Sequence, residues 1–138
     1  MDSNSEGPLS LVLFSGSDDK LSAAAVLAVG AAAMGRKVNV FLQYYALDAF
    51  RAGHVGRDHG LAADATAEQS QAVKGHAGNH WSELLRQAKE VGEVDVEACA
   101  LSMDIFGLQA ADLDPLVDGV EGVAAFIGAA QSGQIVFI

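Results

Sequence analysis

The sequence has little cysteine and little positive charge. Its single cysteine, Cys99, excludes an internal disulfide framework and any zinc site built from several cysteines. The chain has only 8 lysines and arginines but 18 aspartates and glutamates, which gives a formal net charge of −10. Because phosphate contacts need clustered basic side chains, this balance argues against direct binding to nucleic acid or to an anionic membrane surface. It mildly favours a basic protein as a partner.

The sequence also lacks a long hydrophobic run. The longest apolar stretch, counting glycine, covers residues 23–35, which is well short of the roughly 20 residues that a transmembrane helix needs. Residues 1–8 are polar and acidic, without the basic start and apolar run of a secretory signal, and they predict a disordered N-terminal tail. We therefore expect a cytoplasmic location, which agrees with a lone thiol in a reducing compartment.

Strand and helix signals alternate along residues 9–138, which we interpret as a single domain. Short apolar runs predict five strands, at 9–14, 38–42, 94–98, 116–120 and 134–138. Helical patterns and caps separate them, at 17–34, 81–91, 100–106 and 122–132. Such alternation predicts an α/β fold with a parallel sheet covered by helices on both faces. Residues 53–80 have no clear period and predict a long, partly irregular insertion, helical in part or ordered by a neighbouring subunit.

The ends of the predicted strands carry the candidate binding residues. In parallel α/β sheets, ligands gather beyond the carboxyl ends of the strands, which places Ser15, Gly16, Ser17, Tyr44 and Tyr45 on one rim. Amides of the loop at 15–17 can hold an anion, but the loop lacks both a dinucleotide glycine fingerprint and a Walker lysine. A turn with a helix cap is the simpler interpretation. A flavin can stack on the two tyrosines, yet tyrosines are common at strand ends, and we predict no cofactor.

Cys99 stands where the third predicted strand passes into a helix. Amides at a helix N-terminus stabilise a thiolate, the reactive form in sulfur transfer and in peroxide reduction. Free cysteines are also among the most buried residue types, so position alone leaves a reactive and an inert Cys99 equally open. No basic side chain lies close to Cys99 in the sequence, and a cationic partner would have to come from His54, Arg57 or His59.

Two further histidines suggest a metal site at first sight. His76 and His80 are spaced four residues apart, which places both imidazoles on one face if the segment is helical. Residues 77–79 are poor helix material, however, and no cysteine or carboxylate at a suitable spacing completes the ligand set. We therefore predict no metal site.

The segment around Cys99 carries a family resemblance. Residues 94–107, together with Asp112-Leu113 and the stretch 116–121, resemble the DsrE/DsrF-like (DsrEFH-like) family of sulfur-relay proteins, as do the first strand, its loop and the alanine-rich helix. The resemblance is weakest from 53 to 79. It implies a three-layer α/β/α sandwich around a five-stranded parallel sheet, assembled as a homo-oligomer. It also implies that Cys99 carries a persulfide between sulfur donor and acceptor proteins, with a TusA-like carrier as one candidate.

One position departs from the family pattern. Ser102 stands where some members of the family have a second cysteine, so Cys99 has no internal resolving thiol. We also assign Ser102 to the predicted binding rim.

Three functions remain open from the sequence. The leading hypothesis is a cytoplasmic sulfur carrier, a possible sulfurtransferase with little independent turnover, that holds sulfur on Cys99. The second is a module that binds a small anion, nucleotide or flavin and has an inert cysteine. The third is a thiol peroxidase that depends on an external resolving thiol.

Overall fold

The computed structural model describes residues 7–138, in which five parallel strands form one sheet. The strands are β1 (Leu9–Leu13), β2 (Val38–Leu42), β3 (Val94–Cys99), β4 (Gly119–Glu121) and β5 (Gln134–Phe137). Their order across the sheet is β4-β3-β2-β1-β5, and each neighbouring pair is parallel. The prediction of a five-stranded parallel sheet is confirmed. Most of the tail predicted at 1–8 lies outside the described residues.

Helices cover both faces of the sheet, as predicted. They are α1 (Asp18–Ala33), α2 (Ala46–Ala49), α3 (Ala67–Gly75), α4 (Trp81–Val91), α5 (Ala100–Ile105) and α6 (Val123–Ala129), with a 3-10 turn at Ala110–Asp112. Helices α1 and α4 pack against each other on one face, and α6 packs against β2 on the other. The fold is therefore a three-layer sandwich. No helix within residues 7–138 is both long and apolar enough to span a bilayer.

The face beneath α1 and α4 holds the larger core. Alternate side chains of the strands point into it and meet small alanines of α1, which let the helix approach the sheet closely (Leu11, Leu13, Val40, Leu42, Val96, Ala24, Ala25 and Ala28). Trp81 at the start of α4 is buried, and its ring centroid lies 4.9 Å from that of Phe50. This face supplies most of the buried apolar surface of the domain.

The face beneath α6, which we call the α6 face, holds a much smaller core. Phe126 of α6 stacks on Phe41 of β2, with ring centroids 4.6 Å apart and an angle of 10° between the planes. Beside this pair the face is polar, because the buried amide of Asn39 donates to Ser10 Oγ at 3.1 Å and to the carbonyl oxygen of Ala129 at 3.2 Å. Helix α6 thus covers only part of its side of the sheet.

Two predicted boundaries differ from the structure. Strand β4 begins three residues later than predicted, because Asp114 accepts a hydrogen bond from the amide of Leu116 and turns the chain, while Leu116 packs into the core. The last helix ends at Ala129 rather than near Ser132, since Ser132 adopts a φ of +69° and directs the chain into β5. Neither difference changes the order of elements along the chain.

The insertion at 53–80 contains one regular element. Helix α3 begins with a capping box between Thr66 and Gln69, and none of its residues is buried. The segment before it is fixed to the start of α1 by hydrogen bonds that belong to the site described next.

Candidate functional site

A cavity of about 530 Å³ opens at the carboxyl edge of the sheet, beside β1 and β2. Its volume lies within the range of about 300–1,000 Å³ that is typical of small-molecule sites. The loop after β1, the end of β2, α2 and the segment after α5 all contribute to it (Gly16, Ser17, Tyr44, Tyr45, Leu47, Asp48, Arg51, His59, Phe106 and Leu108). Four residues of the predicted rim therefore line one cavity. Ser15 lies beside them, where its Oγ accepts a hydrogen bond of 3.2 Å from the Lys20 ammonium.

Aromatic rings form one wall of the cavity. The centroid of the Phe14 ring lies 5.1 Å from that of Tyr44 and 5.4 Å from that of Tyr45, and the Tyr45 ring lies 6.5 Å from the Phe106 ring. Gly16 makes this arrangement possible, because a Cβ atom at that position would lie 2.5 Å from the carbonyl oxygen of Tyr45. The loops after β1 and β2 therefore meet closely beneath the rings.

Ser102 lies beneath this wall instead of lining the cavity. It is fully buried, and its Oγ accepts a hydrogen bond of 2.9 Å from the backbone N–H of Tyr44. Tyr44 has a φ of +43°, a left-handed conformation that is unusual for a tyrosine. The serine at this position thus ties α5 to the loop after β2 and holds Tyr44 in its strained conformation.

Charged side chains form the opposite part of the cavity. Arg51 Nη1 lies 3.5 Å from Asp48 Oδ1, and the same oxygen lies 3.2 Å from His54 Nδ1. His59 Nε2 is 2.8 Å from the carbonyl oxygen of His54. Since a carbonyl oxygen only accepts hydrogen bonds, His59 Nε2 carries the hydrogen, and Nδ1 is the ring nitrogen that can accept one. Sequence reasoning missed the cavity role of Arg51, and the i, i+3 pairing of Asp48 with Arg51 just after β2 was the available signal.

The first turn of α1 holds the insertion beside the cavity. Asp18 Oδ2 accepts from the backbone N–H of His59 at 2.9 Å, and Asp18 Oδ1 accepts from Trp81 Nε1 at 2.9 Å. The Asp19 carboxylate accepts from the backbone N–H of Ala62, with a shortest distance of 3.0 Å. Burial raises the pKa of Asp19, but hydrogen bonds from Ala62 and from nearby backbone groups outweigh it and bring the pKa below 3.8. Both carboxylates therefore position the backbone of the insertion.

Cys99 lies at the same edge but faces the other side of the sheet. It ends β3, occupies the N-cap of α5 and makes no capping hydrogen bond with its side chain. Its side chain packs with Val12, Phe41 and Phe126 on the α6 face, and only 5% of the residue is exposed. The 530 Å³ cavity therefore does not reach the thiol.

Carboxylates of β3 and β4 share the α6 face with Cys99. Glu121 is the register partner of Cys99 in the β3–β4 pairing, and Glu97 precedes Cys99 by two residues on the same strand. Burial and then the negative charge of nearby carboxylates raise the pKa of both glutamates. The environment of the thiol is thus apolar on one side and acidic on the other.

The three predicted cationic partners of Cys99 lie elsewhere. His59 lines the 530 Å³ cavity, and His54 contacts Asp48 beside it. Arg57 lines a second cavity of about 630 Å³ between α1 and the insertion. His76 and His80 line that second cavity as well. His80 accepts a hydrogen bond from the Ser82 amide and so caps α4. Across residues 7–138, no group of three or more His, Cys, Asp or Glu side chains is arranged to hold a metal ion.

Comparison with known proteins places the chain in a family. The family model described as DsrE/DsrF/DrsH-like matches residues 5–59 and 61–138. The uncharacterized protein YrkE of Bacillus subtilis (strain 168) is 29% identical over 149 residues, an alignment that covers 91% of this chain and 92% of YrkE.

Two solved structures share the fold. The crystal structure of the ychN protein from E. coli has a TM-score of 0.56 and 14% identity, and the match covers 95% of this chain and 99% of ychN. MTH1491 from Methanobacterium thermoautotrophicum, a protein of unknown function, has a TM-score of 0.55 and 16% identity, with coverage of 96% and 99%. Because the family model matches nearly the whole length, the chain belongs to the DsrE/DsrF/DrsH-like family, which is broadly linked to sulfur relay.

Proposed function

We propose that this protein is a sulfur carrier that holds sulfane sulfur as a persulfide on Cys99 and passes it between partner proteins. The observation that carries the proposal is the position of the only cysteine of the chain, at the carboxyl end of β3 in a member of a family linked to sulfur relay. Ser102 supports a carrier over a dithiol enzyme, because it offers no second thiol to resolve the persulfide as a disulfide.

The proposed transfer is redox-neutral. The Cys99 thiolate attacks the terminal sulfur of a donor persulfide, a new S–S bond forms at Sγ, and the donor leaves as a thiolate. In the second transfer an acceptor thiolate attacks the outer sulfur of the Cys99 persulfide, and Cys99 leaves as the thiolate. Neither step needs an external oxidant or reductant. We place this relay in the cytoplasm, where a reducing environment keeps thiols free, with a TusA-like carrier protein as a candidate acceptor.

The burial of Cys99 sets a condition on this proposal. With 5% of the residue exposed, a donor persulfide reaches Sγ only after part of its cover moves. Helix α6 is the element that covers it, and α6 has only seven residues. Two of its apolar side chains are exposed, Val123 to 58% and Ile127 to 50%. Such a short, weakly packed helix opens at a lower free-energy cost than the α1–α4 layer. We therefore propose that sulfur transfer proceeds from a state in which α6 is displaced.

The sulfur-loading test uses polysulfide as the donor. After incubation, intact-protein mass spectrometry is expected to show the addition of sulfur that a small-molecule thiol reductant removes. Cys99→Ser is expected to abolish this addition completely, because it removes the only thiol. A separate alkylation under the same conditions shows whether Cys99 is accessible. If Cys99 is accessible but polysulfide leaves the mass of the protein unchanged, the carrier proposal is refuted. Consumption of hydrogen peroxide in the presence of an external thiol would favour a peroxidase instead.

We also propose that copies of this chain assemble through the α6 face, in a contact that has to open before α6 is displaced for sulfur transfer. Large apolar side chains are exposed there on α6 and β5, with Phe137 65% and Val123 58% exposed. Several exposed apolar side chains on one face are typical of a protein interface. Its residues come from α6 and β5 (Val123, Ile127, Ile135 and Phe137).

The assembly prediction is tested by light scattering coupled to size-exclusion chromatography. Phe137→Ser is expected to weaken self-association about tenfold or more, because aromatic residues in interface centres contribute most of the binding energy. Val26→Ser is the matched control, since Val26 is 59% exposed on the outer side of α1, away from the α6 face. A monomeric wild-type protein at high concentration would contradict the prediction, and so would an equal effect of both variants.

A further inference from the structure

We propose that the 530 Å³ cavity is a binding site for a small planar aromatic anion, separate from Cys99. The cavity lies at the carboxyl edge, and Cys99 points to the opposite face of the sheet, so the two sites are distinct. This inference does not rest on the sulfur-carrier proposal, because no step of the sulfur transfer uses a residue of the cavity.

The aromatic wall favours a flat ring as the ligand. Tyr44, Tyr45 and Phe106 line the cavity, and stacked or edge-to-face rings are the arrangement that a planar ligand completes. The wall is also fixed before a ligand arrives. Ser102 holds the backbone of Tyr44, and Phe14 packs against both tyrosines. A preformed wall lowers the entropic cost of binding.

The charged end of the cavity favours an anion. Arg51 has five N–H donors in a planar fork, and its ion pair with Asp48 is long, at 3.5 Å, and partly exposed. Exposed pairs of this kind are weak, which leaves the guanidinium available to a competing carboxylate. The Asp48 oxygen that contacts Arg51 is also shared with His54, so Asp48 is the less available partner for a ligand. Arg51 is therefore the lining group that favours an anionic ligand.

His59 supplies a second polar group opposite the rings. Its Nε2 is fixed as a donor to the His54 carbonyl oxygen, which presents Nδ1 as the remaining ring nitrogen. Asp18 holds the backbone N–H of His59 at 2.9 Å and so positions the residue at the cavity. Arg51 donates to the anionic group, and the rings take the flat body. His59 Nδ1 is left as an acceptor for a hydroxyl or N–H group of the ligand.

The experiment compares two probes of the same shape by titration calorimetry. The first is 2-naphthoate, a planar anion, and the second is 2-naphthamide, its neutral counterpart. We expect 2-naphthoate to bind more tightly than 2-naphthamide, and Arg51→Gln to weaken only 2-naphthoate, by about tenfold. Arg86→Gln is the matched control, because Arg86 also pairs with an acidic residue three positions away, Glu83, but lies on the outside of α4.

Two further variants locate the bound probe. Phe106→Ala is expected to weaken both probes, because it removes part of the ring wall that both share. Ile127→Ser, which alters the exposed side of α6 on the other face of the sheet, is expected to leave both affinities unchanged. The proposal is overturned if 2-naphthoate does not bind, if Arg51→Gln and Arg86→Gln have equal effects, or if Ile127→Ser is the variant that abolishes binding. A loss of sulfur loading on Cys99 in the tests above would leave this result unaffected.

Discussion

Replacing Phe126 by alanine is expected to increase the rate of Cys99 alkylation by a neutral reagent by about 10- to 100-fold. A buried thiol reacts through the open state of its cover, so its rate follows the free energy of local opening. Truncation of a buried phenylalanine removes about 3–5 kcal/mol of packing. If about 1.4–2.7 kcal/mol of that loss lowers the free energy of the local opening of α6, the alkylation rate rises by about 10- to 100-fold. Phe126 is 2% exposed and stacks directly on Phe41 beside Cys99.

The matched control for this experiment is Phe50→Ala. Phe50 is fully buried in the larger core on the other face, next to Trp81, and its truncation has a comparable cost without uncovering Cys99. Phe126→Leu, which keeps an apolar cover, is expected to react at nearly the wild-type rate. Equal acceleration by Phe126→Ala and Phe50→Ala would show that Cys99 is exposed only by global unfolding, and α6 would lose its role as a movable cover.

The order of the secondary structure elements was readable from the sequence for a physical reason. Each strand is a short apolar run that ends at a turn or cap, and parallel strands need the helical crossovers that separate them. The predicted start of β4 is too early in the sequence because Leu116 is apolar, although that residue is buried by core packing and not by the sheet. Local composition does not distinguish these two kinds of burial.

The environment of Cys99 was not readable from the sequence. Which face Cys99 points to depends on the strand order and on the crossover from β4 to β5, and neither is encoded in a local pattern. Strand β2 is buried on both faces, so its hydrophobic pattern does not show that Phe41 and Cys99 lie on the same face of the sheet. The proximity of Arg51, His59 and Phe106 has the same origin. These three residues lie in separate segments of the chain, and only tertiary packing brings them to one cavity.

Replacing Asp18 by alanine is expected to lower the free energy of unfolding by about 2–4 kcal/mol. The buried Trp81 Nε1–H loses its acceptor, which costs about 1–3 kcal/mol, and the His59 N–H loses a hydrogen bond to a charged group. The first turn of α1 also loses a negative charge that interacts favourably with the helix dipole. Urea unfolding followed by far-UV circular dichroism measures the change, and it serves equally for variants that lack the single tryptophan.

A double-mutant cycle separates these contributions. Trp81→Phe removes the indole N–H and keeps an aromatic ring, so Asp18→Ala is expected to cost about 1–2 kcal/mol less in that background than in the wild type. Asp18→Asn retains one acceptor oxygen for two donors and is expected to fall between wild type and alanine. An additive cycle would show that the indole hydrogen bond contributes nothing. Because Asp18 also fixes the His59 backbone, the variants that destabilise α1 are expected to weaken 2-naphthoate binding in the same order, which couples the fold of the insertion to the chemistry of the cavity.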